Sequence, residues 1–129
     1  MTGNEAASLN LADWCQPILV DYLRELYTEI LGSDHKSLRI LSLSHGRMWR
    51  ILILGDAEKL AVARKEIIGI ARLAGLNTSA VELIDQAVLA ELMDVIVSRF
   101  LRSPDLTRAY GRIVVAAAMR LARLGLQAA

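Results

Sequence analysis

The stretch LRILSLSHGRMWRILIL (residues 38–54) decides the fold class, because it fits both a helix and a β-hairpin. A hairpin would pair 38–44 with 48–54 across a turn at residues 45–47. Strands alternate apolar and polar residues, whereas residues 51–54 are all apolar. Helical spacing places these residues on one stripe: Leu38, Leu41, His45, Met48, Trp49 and Leu52. It places these on the opposite side: Arg39, Gly46, Arg47 and Arg50. The spacing favours a helix, with Gly46 costing it about 1 kcal/mol.

Two further segments, one on each side of this stretch, carry helix start and stop signals. Residues 17–31 have a helical apolar face, and Pro17 fits a first turn, where its missing N–H is harmless. Gly32 is a suitable residue to end that helix. Asp56 is a good N-cap for a helix over 57–74, which Gly75 would terminate.

The last third of the chain predicts two more helices. Residues 79–82 form a capping-box pattern, and the segment that follows to residue 101 is apolar on nearly every side. A cap and a proline at 103–105 precede a final helix over 106–124. We therefore expect an all-α domain with about five helices, of which the last two are long and apolar.

Composition limits the class of protein. A chain of 129 residues is the usual size of one domain. A net charge of +1 argues against a dedicated nucleic-acid binder. The longest stretch without a charged residue, 73–81, has 9 residues, which is too short for a membrane span. A hydrophobic content of 54% with a mean hydropathy of +0.38 indicates apolar surface that a second subunit would cover.

The N-terminal region predicts a cytoplasmic protein. Residues 1–12 are small and polar and are expected to be flexible, which leaves 13–129 as a single helical domain. The N-terminus lacks the basic start and apolar stretch of a signal peptide. Cys15 is the single cysteine of the chain and excludes an internal disulfide.

His45 is the residue that most invites a chemical role, since it lies in a Ser-His-Gly sequence. No acidic residue nearby could orient it for catalysis, so we expect no enzyme activity. Asp34, His35 and His45 lack the spacing of a helical metal site, and we expect no metal. A phosphotransfer or kinase-dimerisation bundle with His45 as the acceptor is an alternative. A structural histidine on the helix stripe is the leading interpretation.

The middle of the chain resembles the sensor globins, which are the protoglobins and the globin-coupled sensors of bacteria. The resemblance rests on these residues: His45, Trp49, the stretch 51–55, Ile68-Gly69 and Gly75-Leu76, with 21–23 and 29–31 similar to the family's second helix. It covers residues 17–124. It implies a globin-like fold, a sensory role and dimerisation through the last two helices.

The chain departs from that family at the haem-binding position. Ala71 stands where the family has its proximal histidine, and Ala80-Val81 replace an aromatic pair. Alanine cannot bind iron, so we expect no haem and no other cofactor. An apolar or fatty small molecule could occupy such a pocket. Its candidate lining is Tyr22, Leu26, Tyr27, Leu41, His45, Trp49, Leu60, Ile67 and Ala71.

These features together predict a haem-free regulatory domain that signals to an effector domain or partner protein. We expect a homodimer whose interface contains Val88, Leu92, Val95, Ile96, Val114, Ala117 and Leu121. Charge introduced at Val88 or Ala117 should break the dimer or prevent folding. A second alternative is a helical adaptor that binds another protein through residues 81–101.

Overall fold

A computed structural model describes the backbone of residues 3–100 and 104–128. It describes the side chains of residues 11–98, 105 and 108–123. It contains five helices: α1 Gly3–Leu31, α2 Leu38–Leu54, α3 Ala57–Leu73, α4 Thr78–Phe100 and α5 Pro104–Ala128. None of the residues in these ranges lies in a strand. The expected all-helical class is therefore confirmed.

Helix α2 shows that the helical interpretation of residues 38–54 was right. Every residue of the predicted stripe is buried, from Leu38 to Leu52. Of the residues that the spacing placed on the opposite side, Gly46 is covered by another helix. Gly46 is buried where α1 crosses α2, and a Cβ atom there would lie 2.5 Å from Cγ2 of Val20. Its lack of a side chain allows the two helices to approach closely.

Helix α1 begins at Gly3 and continues through Pro17, which sequence reasoning placed at the helix start. The reason is an apolar stripe that extends along α1 on both sides of Pro17. Its residues are at most 2% exposed: Leu11, Ala12, Cys15, Leu19, Leu23 and Tyr27. Burial of this stripe offsets the backbone hydrogen bond that a proline inside a helix removes. Residues 3–12 are thus helical rather than irregular, and their expected mobility stays a prediction.

The helix boundaries follow local backbone chemistry. Gly55 ends α2 with φ of 82°, a left-handed conformation that favours glycine. Asp56 caps α3 as expected, because its side chain accepts a hydrogen bond from the Lys59 N–H at 3.1 Å. The capping box expected at 79–82 is replaced by Asn77, whose side-chain oxygen accepts from the N–H of Ala80 at 2.9 Å.

Helices α4 and α5 pack against the other three. The inner side of α4 is formed by Val81, Ile84, Val88, Leu92 and Ile96. Helix α5 is amphipathic, with Val114 and Ala117 buried and the side chain of Arg112 exposed. Arg120 of α5 also donates a hydrogen bond to the Leu52 carbonyl at 2.9 Å, and so holds α5 against the end of α2.

Candidate functional site

A cluster of polar and aromatic side chains lies inside the core, where four helices meet. It consists of Tyr27 from α1, His45 and Trp49 from α2, Arg64 from α3 and Asp85 from α4, and we call it the Asp85 cluster. None of these residues is more than 3% exposed. Charged groups buried to this degree need partners, because transfer out of water is costly.

Asp85 is the centre of the cluster and accepts three hydrogen bonds. Its Oδ1 lies 2.5 Å from Nε2 of His45 and 3.2 Å from Nε1 of Trp49. Its Oδ2 accepts from Nη1 of Arg64 at 2.6 Å. The carboxylate and the guanidinium balance each other, so the cluster is neutral when the imidazole of His45 is neutral.

Tyr27 completes the hydrogen bonding of His45. The hydroxyl of Tyr27 lies 2.8 Å from Nδ1 of His45, and a neutral ring with its proton on Nε2 would accept from that hydroxyl. Burial and then the negative charge of Asp85 raise the pKa of Tyr27, while Arg64 acts in the opposite direction. The hydroxyl therefore keeps its proton and remains a donor.

The series Tyr27–His45–Asp85 has the connectivity of a proton relay, in which a carboxylate orients a histidine beside a hydroxyl. The exposed fractions of the three residues are 0, 0 and 3%. No substrate reaches Tyr27 while the helices are packed in this way. The arrangement links three helices through hydrogen bonds to a carboxylate and adds α1 through the neutral hydrogen bond of Tyr27.

The core holds one buried polar atom that the cluster leaves unpaired. Nε of Arg64 has no hydrogen-bond partner within the described part of the chain. A buried, unsatisfied donor of this kind costs about 1–3 kcal/mol. The cluster is therefore not the arrangement that would give the greatest stability.

The predicted pocket residues belong to the core or pack against it, and that they line a ligand pocket stays a prediction. Seven of them are buried in the core: Tyr27, Leu41, His45, Trp49, Leu60, Ile67 and Ala71. Tyr22 and Leu26 are partly buried and pack against it. Three surface grooves of the described part of the chain are lined by other residues.

This part of the core does not fit a haem group. Helix α3, over Ala57–Leu73, contains no His, Cys, Met or Tyr to bind the iron. Both ring nitrogens of His45 already have hydrogen-bond partners, so His45 could bind iron only after losing one of them. Arg64 and Asp85 also occupy the space between α3 and α4.

Sequence reasoning missed Asp85 and gave Arg64 no functional role. Asp85 is an acidic residue on the inner, otherwise apolar side of α4, one turn from Val81 and Val88. Arg64 interrupts an apolar stripe that continues at Ile67. The signal available in the sequence was a charged residue within each apolar stripe. Using it would have required pairing Arg64 on α3 with Asp85 on α4.

The expected dimer interface needs a correction. Five of its seven residues are already covered by this chain's own helices: Val88, Leu92, Ile96, Val114 and Ala117 are at most 3% exposed. Val95 and Leu121 are partly buried. Both α4 and α5 have apolar residues on more than one face, and periodicity alone did not show that these five lie on the face that packs against the rest of the chain. A charge at Val88 or Ala117 would therefore act on folding.

A different apolar surface lies between α4 and α5. It is a groove of about 360 Å³ lined by Leu89, Met93, Val114, Val115, Ala118, Met119 and Ala122, and we call it the α4–α5 face. Val115 and Met119 are 55 and 54% exposed. Leu83 and Val97, on α4, are also exposed. These exposed apolar side chains make the α4–α5 face a candidate surface for contact with another molecule.

Other candidates from the sequence are less informative. Cys15 is buried, and burial raises the pKa of its thiol to about 12. Within the described ranges, no group of His, Cys, Asp and Glu residues could hold a metal ion. No helix in those same ranges is both long enough and apolar enough to cross a membrane.

Comparison of the chain with protein-family models, with curated proteins and with solved structures found no match.

Proposed function

We propose that this chain is a haem-free, globin-like sensory or regulatory domain of a bacterial cytoplasmic signalling system. It self-associates and passes a signal through α4 and α5 to an effector or partner. The observation that supports this best is the Asp85 cluster, in which the carboxylate joins α2, α3 and α4 and the Tyr27–His45 hydrogen bond adds α1.

The energetics of the cluster favour a regulatory role over a purely stabilising one. Apolar residues of similar volume are often as stabilising as a buried ion pair, or more so, by about 1–4 kcal/mol. A charged cluster instead specifies one helix arrangement, because other arrangements leave a charge unpaired. A ligand or partner that favours a second arrangement then shifts the balance between two defined states.

Helix α4 provides a direct route from the cluster to the surface. Asp85 lies on its inner side, and Leu89, one turn later, lines the α4–α5 face. A helix moves as a rigid unit over one turn, so a displacement of Asp85 moves Leu89 with it. Changes in the core thereby alter the shape of the surface that another subunit would contact. Entry of an apolar ligand beside Tyr27 would produce such a displacement.

Self-association through the α4–α5 face is tested by introducing charge there. We expect Val115→Glu and Met119→Glu to convert a dimer into a folded monomer, because a second copy would bury an unpaired carboxylate. Val62→Glu is the matched control, since Val62 is 58% exposed on α3, away from this face. Analytical ultracentrifugation measures the mass. A wild-type monomer at micromolar concentration contradicts the dimer.

Signal transmission is tested by measuring the dimer dissociation constant of Asp85→Asn. Asp85 is 3% exposed and does not line the α4–α5 face, so a change of about fivefold or more reports coupling between core and surface. Leu19→Ala on α1 is the control, because it removes a buried side chain outside the cluster. Equal dissociation constants for wild type and Asp85→Asn would overturn the regulatory role.

A helical adaptor is the second candidate function, and the exposed side chains of the α4–α5 face favour it as well. An adaptor would stay monomeric alone and bind another protein through Val115 and Met119. The phosphotransfer alternative lacks support, because a phosphoacceptor histidine must reach solvent, and His45 is 0% exposed.

A further inference from the structure

A second groove lies on the other flank of α5, against the end of α2. Its volume is about 460 Å³, within the usual range of binding sites, and we call it the arginine groove. Apolar side chains from both helices, among them Leu54 and Ile113, line it. It shares no residue with the α4–α5 face.

Positive charge borders this apolar groove. Arg108, Arg112 and Arg120 line it together with a single acid, Asp105, which gives the lining a charge of +2 (three positive minus one negative). The guanidinium of Arg120 already donates a hydrogen bond to the Leu52 carbonyl. Arg108 and Arg112 are exposed, and no ion pair involving them is found within the described part of the chain.

The spacing of the arginines matches a second helix. Arg108 and Arg112 are four residues apart on α5, which places them about 6 Å apart along its axis. Two acidic residues one turn apart on another helix have the same separation. The row from Arg108 to Arg120 extends over about 18 Å, or three turns of a facing helix.

The lining disfavours two other anionic partners. A single-stranded nucleic acid would need aromatic rings on which bases stack, and no aromatic residue lines the groove. A membrane surface would need apolar side chains that protrude beyond the charges. Of the large apolar side chains that line the groove, Leu54 is exposed, whereas Ile113 is partly buried and Ile53 is buried, so one such side chain rather than a group is placed to enter a membrane.

We propose that the arginine groove binds an acidic amphipathic helix of a partner protein. Carboxylates one turn apart pair with Arg108 and Arg112, and the apolar face of the partner helix covers Leu54 and Ile113. This is the helix-in-groove mode of recognition, in which apolar contact supplies affinity and charge sets orientation. The site goes beyond the proposed function, because it is independent of the α4–α5 face and of the Asp85 cluster.

The test uses the full chain and a fluorescein-labelled, alanine-based helical peptide. The peptide carries glutamate at every fourth position along one side and leucine beside it. A control peptide has lysine in place of every glutamate. Arg108→Gln/Arg112→Gln removes the two exposed charges of the groove. Arg24→Gln/Arg39→Gln is the matched control, since both residues are exposed and neither lines the groove. Circular dichroism verifies that both variants fold.

We expect fluorescence anisotropy to show binding of the glutamate peptide to wild type and to the control variant. Binding to Arg108→Gln/Arg112→Gln should be roughly tenfold weaker, and high salt should weaken the wild-type interaction. The proposal is overturned when wild type does not bind the glutamate peptide, when it binds the lysine peptide equally, or when both variants bind alike. Tight binding to anionic vesicles through the same arginines, without peptide binding, would assign the groove to membranes instead.

Discussion

Replacing Asp85 by asparagine tests whether the charged cluster holds the helices together. The substitution keeps the shape of the side chain but removes the charge that balances Arg64, whose Nη1 lies 2.6 Å away. Arg64 is 2% exposed, so its guanidinium would remain buried without a counter-charge. Breaking a buried pair in this way costs about 3–5 kcal/mol. Domains of this size are stable by about 5–15 kcal/mol in total, so the loss is large.

Urea unfolding followed by far-UV circular dichroism measures the effect. Asp94→Asn is the matched control, because Asp94 is exposed on the same helix and its change should stay within about 0.5 kcal/mol. The double variant Asp85→Asn/Arg64→Met removes both charges and should lose less than the sum of the two single variants. If Asp85→Asn alone does not fold, a double variant that folds would still show that the two charges are coupled.

The reasoning about Asp85 fails on either of two results. The first is a loss of less than about 1 kcal/mol for Asp85→Asn, which would mean that the carboxylate is not needed to balance the buried guanidinium. The second is full additivity of the double variant, which would mean that Asp85 and Arg64 act independently.

Three further predictions concern other parts of the core. Tyr27→Phe removes the hydroxyl that donates to Nδ1 of His45 and should lower the free energy of unfolding in urea by about 1–3 kcal/mol. Tyr22→Phe, at a partly exposed site, should lower it less. Gly46→Ala should destabilise the fold by about 1–3 kcal/mol, because its methyl would overlap Val20, and the added change Val20→Ala should restore stability; no recovery would contradict close packing there. The thiol of Cys15, with its pKa raised to about 12, should react with a thiol reagent at pH 8 no faster than the chain unfolds. Since the pKa of the Cys15 thiol in the folded chain lies above its ordinary value of 9.0, the contribution of the thiol to stability should be complete below pH 9 and decline as the pH rises towards 12.

Local chemistry explains what the sequence alone could determine. The helical state of α2 followed from apolar residues three and four positions apart, a pattern that depends on residues within two turns. The cap at Asp56 and the break at Gly55 depend on a few neighbouring atoms. These properties depend on residues that are close in sequence, so the amino-acid sequence alone predicts them. The fold class followed from them.

The tertiary structure decided the features that depend on distant parts of the chain. His45 meets Asp85 across 40 residues, and no periodicity in either helix encodes that partnership. Helix α1 continues through Pro17 because other helices bury its apolar stripe, which outweighs the local preference of proline to start a helix. Val88 and Val115 are equally apolar in sequence, yet the packing of α4 and α5 buries the first and exposes the second. Burial is a property of the whole packed chain, and it determines which side chains are left to act on another molecule.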